Sequence, residues 1–219
     1  MEGAISWWLT GVAAAGCWLL ISFSAWRKMR LDYGEEKVLV FTFVWGVAVA
    51  GMALLAARIS PGLSWVGGAM AGLLVPVFWG MKWKWNVWEW MDILGPAGLA
   101  ASGLVSLVAG RWAEAAVLLV GWGLGSWLRA GYKLIKWYRS GKIGFSGVFC
   151  LVWLAGEKVA VATFAGDKLY WGGLTAGQWI GVWLLTACLV TVYLRAGRKV
   201  TEDFNDIWQK LKFLKRRQM

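Results

Sequence analysis

Six ionisable side chains stand inside or at the edge of long apolar stretches: Arg58, Arg111, Glu114, Glu157, Lys158 and Asp167. A charge in a bilayer is costly and marks a functional position unless it reaches the interface or a partner. Glu114 has the chemistry of a general base. Arg58, Arg111 and Lys158 have the chemistry of phosphate-binding cations, the guanidinium being able to hold two oxygens at once. The ordinary alternative for Arg111 and Lys158 is snorkelling to the headgroup region. Glu157 lies about 21 Å along a helix begun at Ile143, deep in a core of about 30 Å. It must therefore face the bundle interior, find a partner, or sit where the helix breaks at Gly156. Two polar residues fit structural work better. Asp92, in the first turn of a helix, would complement that helix's dipole, and Gln178 would hydrogen-bond across helices.

What is missing narrows the chemistry further. The chain has no histidine, which excludes histidine metal sites, histidine bases and serine–histidine triads. Cys17, Cys150 and Cys188 each sit in an apolar run, the setting of packed thiols rather than of a disulfide framework. Neither a metal nor a cofactor is expected.

The elements that must position these residues follow from composition. Of 219 residues 59% are hydrophobic and 16% charged, with a mean hydropathy of +0.57; soluble domains are about 25% charged. The apolar residues form seven runs: Ile5 to Trp26, Val38 to Ala57, Trp65 to Met81, Met91 to Gly110, Ala115 to Leu128 (extending toward Ile135), Ile143 to Phe164, and Leu174 to Leu194. The fold class predicted is all-α, a polytopic integral membrane protein of about seven transmembrane helices. Seven spans put the loops alternately on two sides. Residues 27–37, 82–90, 129–142 and the tail hold 19 of the 23 lysines and arginines; the other side holds only Arg58, Arg111, Lys158 and Lys168. The positive-inside rule then places the N-terminus outside and the C-terminus in the cytoplasm. The first run has no basic segment before it and is too long for a signal-peptide core, so a retained span is expected. The net charge of +11 is thus an orientation signal and an attraction to anionic lipid, and nucleic acid is not an expected partner.

Residues 1–199 form a single predicted transmembrane domain. In the tail, 200–219, Phe204, Ile207, Trp208, Leu211 and Leu214 recur at helical spacing, with acids at its start and Lys215, Arg216 and Arg217 at its end. That pattern predicts a basic amphipathic helix on the inner leaflet. KWKWNVWEW, residues 82–90, reads as a loop whose four indoles anchor at the headgroups. Small residues recur every four positions at Gly98, Ser102, Ser106 and Gly110, and small-xxx-small pairs also occur at Gly68/Gly72 and Gly121/Gly125. Such strips let helices approach closely, so the first is expected to be a helix crossing.

Four pieces in order carry a resemblance. They are GEEKVLVFTFVWGVAVAGMALLAARI ending at Ala57-Arg58, LSWVGGAMAGLL, DILGPAGLA from Asp92, and LYWGGLTAGQWIGVWLLTACLV. Together, over most of the chain from residue 35 onward, they resemble the prolipoprotein diacylglyceryl transferases. These seven-span enzymes of the bacterial cytoplasmic (inner) membrane move diacylglyceryl from phosphatidylglycerol to a lipoprotein cysteine. The resemblance implies a multi-pass inner-membrane protein whose partners are phosphatidylglycerol and a prolipoprotein signal peptide. In the family's span-four signature the arginine falls on Ser106, the asparagines on Ala109 and Trp112, and the glutamate on Glu114. The family's histidine falls on Val66, and its later arginine–glutamate pair on Lys158 and Ala162. Only the glutamate and one cation are kept, and the family's extracytoplasmic head is largely missing. A divergent transferase would hold phosphate with Arg58, Arg111 or Lys158 and use Glu114 as base. The alternative is a non-catalytic lipid- or helix-binding protein on the same scaffold. A small-solute transporter is the third reading, without the internal repeat that would recommend it.

Overall fold

The computed structural model describes residues 2–135, 137–138, 140–164 and 172–199. The expected tail helix, and Lys136, Arg139, Asp167 and Lys168, lie outside the described residues. Within them the chain forms α1 (Glu2–Tyr33), α2 (Glu35–Ile59), α3 (Ser64–Trp83), α4 (Val87–Val108), α5 (Trp112–Gly131), α6 (Phe145–Phe164) and α7 (Ala176–Arg195). One helix coincides with each predicted apolar run. Among the described residues five of them, α1, α2, α3, α4 and α7, are long and apolar enough to cross a membrane. The chain is therefore an all-helical protein of the membrane class.

Short connections reverse the chain between α1 and α2, α2 and α3, α3 and α4, and α4 and α5, giving antiparallel neighbours. Gly34, at φ +80°, turns α1 into α2; a 3₁₀ turn at Pro61–Leu63 precedes α3; Lys84 in the left-handed region ends it. Gly110, at φ +76°, divides α4 from α5. α4 is central: it packs on α1, α5 and α6, while α2 packs on α3 and α6 on α7. One end of the bundle carries residues 33–35, 84–86, 131–135, 140–144 and 196–199, the described parts of the basic loops. The opposite end carries residues 60–63, 109–111 and the start of α7.

Glycine and tryptophan together set the helix spacing. Trp18 of α1 lies over Gly46 of α2 and donates its indole N–H to the Thr42 carbonyl at 3.1 Å. Trp153 of α6 lies over Gly121 of α5 and donates to the Val117 carbonyl at 2.9 Å. In both, the ring fills the notch of the glycine and bonds the carbonyl four residues before it. Trp45 of α2 donates to the Gly72 carbonyl of α3 at 3.3 Å. A helix carbonyl already bonded to its i+4 amide retains a second lone pair, and only a missing side chain lets an indole reach it. Elsewhere backbone meets backbone: a methyl on Gly147 of α6 would stand 2.6 Å from the Met91 backbone of α4, and one on Gly67 of α3 would run into Met52 of α2.

Three expectations need correction. The strip Gly98, Ser102, Ser106 and Gly110 is not one contact face. Ser106 is buried, but Ser102 is exposed, a methyl on Gly98 would meet nothing within 4 Å, and Gly110 lies beyond the helix. Positions four apart drift about 40° around a helix at each step, so four of them spread over a third of the circumference. The crossing face is Asp92, Pro96, Leu99, Gly103 and Ser106, all buried. The Gly121/Gly125 pair does pack closely, against Trp153 and Cys150. Nor do the indoles of residues 82–90 all face lipid headgroups. Asn86 caps α4, accepting from Trp88 N–H at 3.2 Å, which carries Trp90 into the core. Trp85 and Trp90 stack with centroids 5.2 Å apart beside Phe41 and Tyr33, and Trp83 remains the partly exposed anchor.

The early start of α4 also relocates Asp92. It sits in the second turn, buried, and serves another helix. Its Oδ2 accepts the Gly144 N–H at 2.7 Å and its Oδ1 the Gly147 N–H at 2.9 Å, satisfying amides at the N-terminus of α6 and complementing that helix's dipole. Ser146 adds a bond to the Gly125 carbonyl of α5 at 2.7 Å. Three helices are thus tied at the basic end.

Thermal unfolding in detergent checks both devices. Gly67→Ala and Gly121→Ala should each lower stability, by roughly 1–3 kcal/mol, whereas Gly98→Ala should raise it by roughly 0.5–1 kcal/mol; a uniform effect across the three would overturn the assigned contacts. Asp92→Ala should cost roughly 2–3 kcal/mol by orphaning two buried amides, with Asp92→Asn milder because one acceptor stays. Equal losses for both substitutions would show that the carboxylate's acceptor oxygens do not set the cost.

Candidate functional site

Of the residues singled out for chemistry, the fold brings together Arg111, Glu114 and Lys158, and adds Glu157. Arg111 precedes α5 and Glu114 occupies its first turn, where a carboxylate is favoured by the helix dipole. Arg111 Nη1 lies 2.9 Å from Glu114 Oε2. Lys158, from α6, pairs with the other oxygen, Oε1. Its Nζ also stands 3.1 Å from Glu157 Oε2 and 3.5 Å from Oε1. The result is a row of alternating charge, Arg111, Glu114, Lys158, Glu157, that bridges α5 and α6 near the end opposite the basic loops.

Burial differs along the row. The Glu157 side chain is 1% exposed, Glu114 9% and Lys158 18%, while Arg111 is 55% exposed. The pairing of Lys158 with two carboxylates is thus the desolvated part, where loss of one partner leaves an uncompensated charge. The Arg111 contact is a surface ion pair of modest worth. Arg58 stays apart: it is exposed in the last turn of α2 and makes no ion pair among the described residues.

The neighbouring end of α7 is fixed by a capping box. Thr175 Oγ1 accepts the Gln178 N–H at 3.2 Å and Gln178 Oε1 accepts the Thr175 N–H at 2.8 Å. The Gln178 amide also donates to the Val159 carbonyl of α6 at 3.2 Å, the cross-helix bond expected of it. Sequence reading missed this capping box, although Thr-x-x-Gln ahead of an apolar run is its signal. The link between Glu157 and Glu114 was not legible, because 43 positions separate them and only the α5–α6 packing joins them.

The remaining positions aligned with the transferase signature supply no polar machinery. Val66 and Ser106 are buried, Ala109 is half-buried at the end of α4, and Trp112 is 66% exposed. Among the described residues no group of three or more acids, cysteines or histidines could hold a metal ion. No known family, characterised protein or solved structure matches the chain.

Chemically, the cluster neutralises itself. Both oxygens of Glu114 face cations, so its carboxylate is an ion-pair acceptor for Arg111 on one side and Lys158 on the other. Lys158→Ala should lower detergent stability by roughly 3 kcal/mol or more, since Glu157 and Glu114 lose their shared cation. Arg111→Ala should cost under about 1 kcal/mol. A Lys158→Ala protein as stable as the parent would remove the cluster's role as the α5–α6 bridge.

Proposed function

We propose that the chain is a seven-span protein of the bacterial cytoplasmic membrane, a relative of the prolipoprotein diacylglyceryl transferases that has given up the transfer reaction. On this reading the basic-loop end lies in the cytoplasm and the Arg111–Glu157 row faces the outer leaflet. The observation that carries it is the double pairing of Glu114. It is the one acid kept from the span-four signature, and both of its oxygens are occupied by cations. A thiol attacking a phospholipid needs a base or a pre-formed thiolate, and neither is supplied beside it. Arg111, half exposed, and Arg58, at the same end, are the groups able to turn toward a lipid phosphate. The four ordered sequence segments support the scaffold, and the lysine–arginine distribution supports the orientation.

Incubation of the purified protein with radiolabelled phosphatidylglycerol and a lipobox peptide tests the loss of catalysis. The expected result is no thioether-linked lipid above a heat-inactivated control; transfer abolished by Glu114→Gln would overturn the proposal and restore Glu114 as a base. In intact cells expressing the protein, a cysteine introduced at Gly110 should react with an impermeant maleimide from outside while one at Gly141 stays protected. The reverse pattern would invert the topology.

A further inference from the structure

α1 and α5 both pack on α4 without packing extensively on each other. Between them an open groove of about 190 Å³ remains. Its floor is Ala97, Ala100 and Ala101 of α4, the small residues next to Gly98. Its walls are Cys17, Ile21 and Ser24 of α1 and Trp122 of α5. Apart from one hydroxyl and one thiol the named lining is hydrocarbon and indole, and it lies midway along two helices long and apolar enough to span a membrane. Acyl chains are the medium into which such a groove opens.

The walls continue toward the basic end as two cations. Seven residues make nearly two whole turns, so Lys28 follows Ile21 on the groove face of α1 and Arg129 follows Trp122 on that of α5. Their heights are close. Tyr33 of α1 donates to Glu89 at the start of α4 at 2.8 Å, and a methyl on Gly125 of α5 would stand 3.7 Å from Pro96. Counting back from these contacts puts Lys28 at the level of Leu94 and Arg129 at the level of Asp92, two residues or about 3 Å apart along α4. Neither cation has a carboxylate within ion-pair distance among the described residues. Asp92, on the neighbouring turn of α4, accepts from the Gly144 and Gly147 amides at the start of α6.

We propose that this groove is a binding site for one anionic phospholipid, with an acyl chain on the alanine floor and the phosphate between Lys28 and Arg129. The alanine floor would also accept a helix, but a hydrophobic helix offers nothing to two cations that make no ion pair among the described residues, and a lipid phosphate does. The site lies at the opposite end of the bundle from the Arg111 row and depends only on the membrane character of α1 and α4, so it stands whether or not a transferase scaffold is correct.

Photo-crosslinking in phosphatidylcholine nanodiscs tests it. Trace phosphatidylglycerol carrying a diazirine in its acyl chain is compared with a phosphatidylcholine probe of the same chain. The phosphatidylglycerol probe should label peptides 17–24 and 97–104 roughly ten-fold more than the neutral one. Lys28→Gln/Arg129→Gln should remove that preference, while the charge-keeping Lys28→Arg/Arg129→Lys retains it. Ala100→Leu/Ala101→Leu, which fills the floor, should reduce labelling by either probe. Equal labelling by the two probes, or a preference that survives loss of both cations, would overturn the proposal, and so would an unlabelled groove. If the double glutamine protein fails to fold, the alanine-to-leucine pair and the comparison of the two probes on the parent protein still decide it.

Discussion

Tight contact between helix backbones is the constraint on which this bundle depends. Where helices are surrounded by hydrocarbon, burying one apolar side chain against another gains little over leaving it in lipid, so association rests on close packing and on hydrogen bonds. The chain meets both needs with the same pair of residue types. Glycine opens a notch that exposes carbonyl oxygens, and tryptophan fills it while giving its N–H an acceptor. The device operates at Gly46 with Trp18 and at Gly121 with Trp153. The bulky residue needs the absent one.

The spacing so set allows polar groups to act between helices. Asp92 can cap α6 because Gly147 lets that helix come within reach of α4. Lys158 can reach Glu114 because α5 and α6 are held together by Trp153 on Gly121. In each case a costly buried charge is tolerated because an opposing charge or a row of amides satisfies it. The two ends thereby take different characters. Near residue 111 the row from Arg111 to Glu157 is balanced internally, whereas Lys28 and Arg129, toward the other end, make no ion pair among the described residues.

Much of the architecture was legible in the order of residues, because long apolar runs and helical caps are local signals. Each of the seven runs became a helix, and Thr175 and Gln178 capped as their spacing indicates. The site was legible only in its membership. Arg111, Glu114 and Lys158 could be named as a group of charges in apolar surroundings, but their neutralising arrangement depends on packing between α5 and α6. The strip at Gly98 misled because four-residue spacing looks like one face on paper and drifts around a real helix. The roles of Trp85 and Trp90 misled because the start of α4 lies inside the aromatic segment, set by Asn86.

The sequence by itself determined the helical class, the number and extent of the apolar segments and the excess of charge on alternate loops, since each follows from composition within a window of about twenty residues. Only the tertiary structure decided which helices touch, that Asp92 serves α6 and not its own helix, that Glu114 is enclosed by two cations, and that the alanine face of α4 is left open. The physical reason is range. Hydropathy and capping act over a turn or a span, whereas a charge or a small face acquires its meaning from whatever distant helix is brought against it.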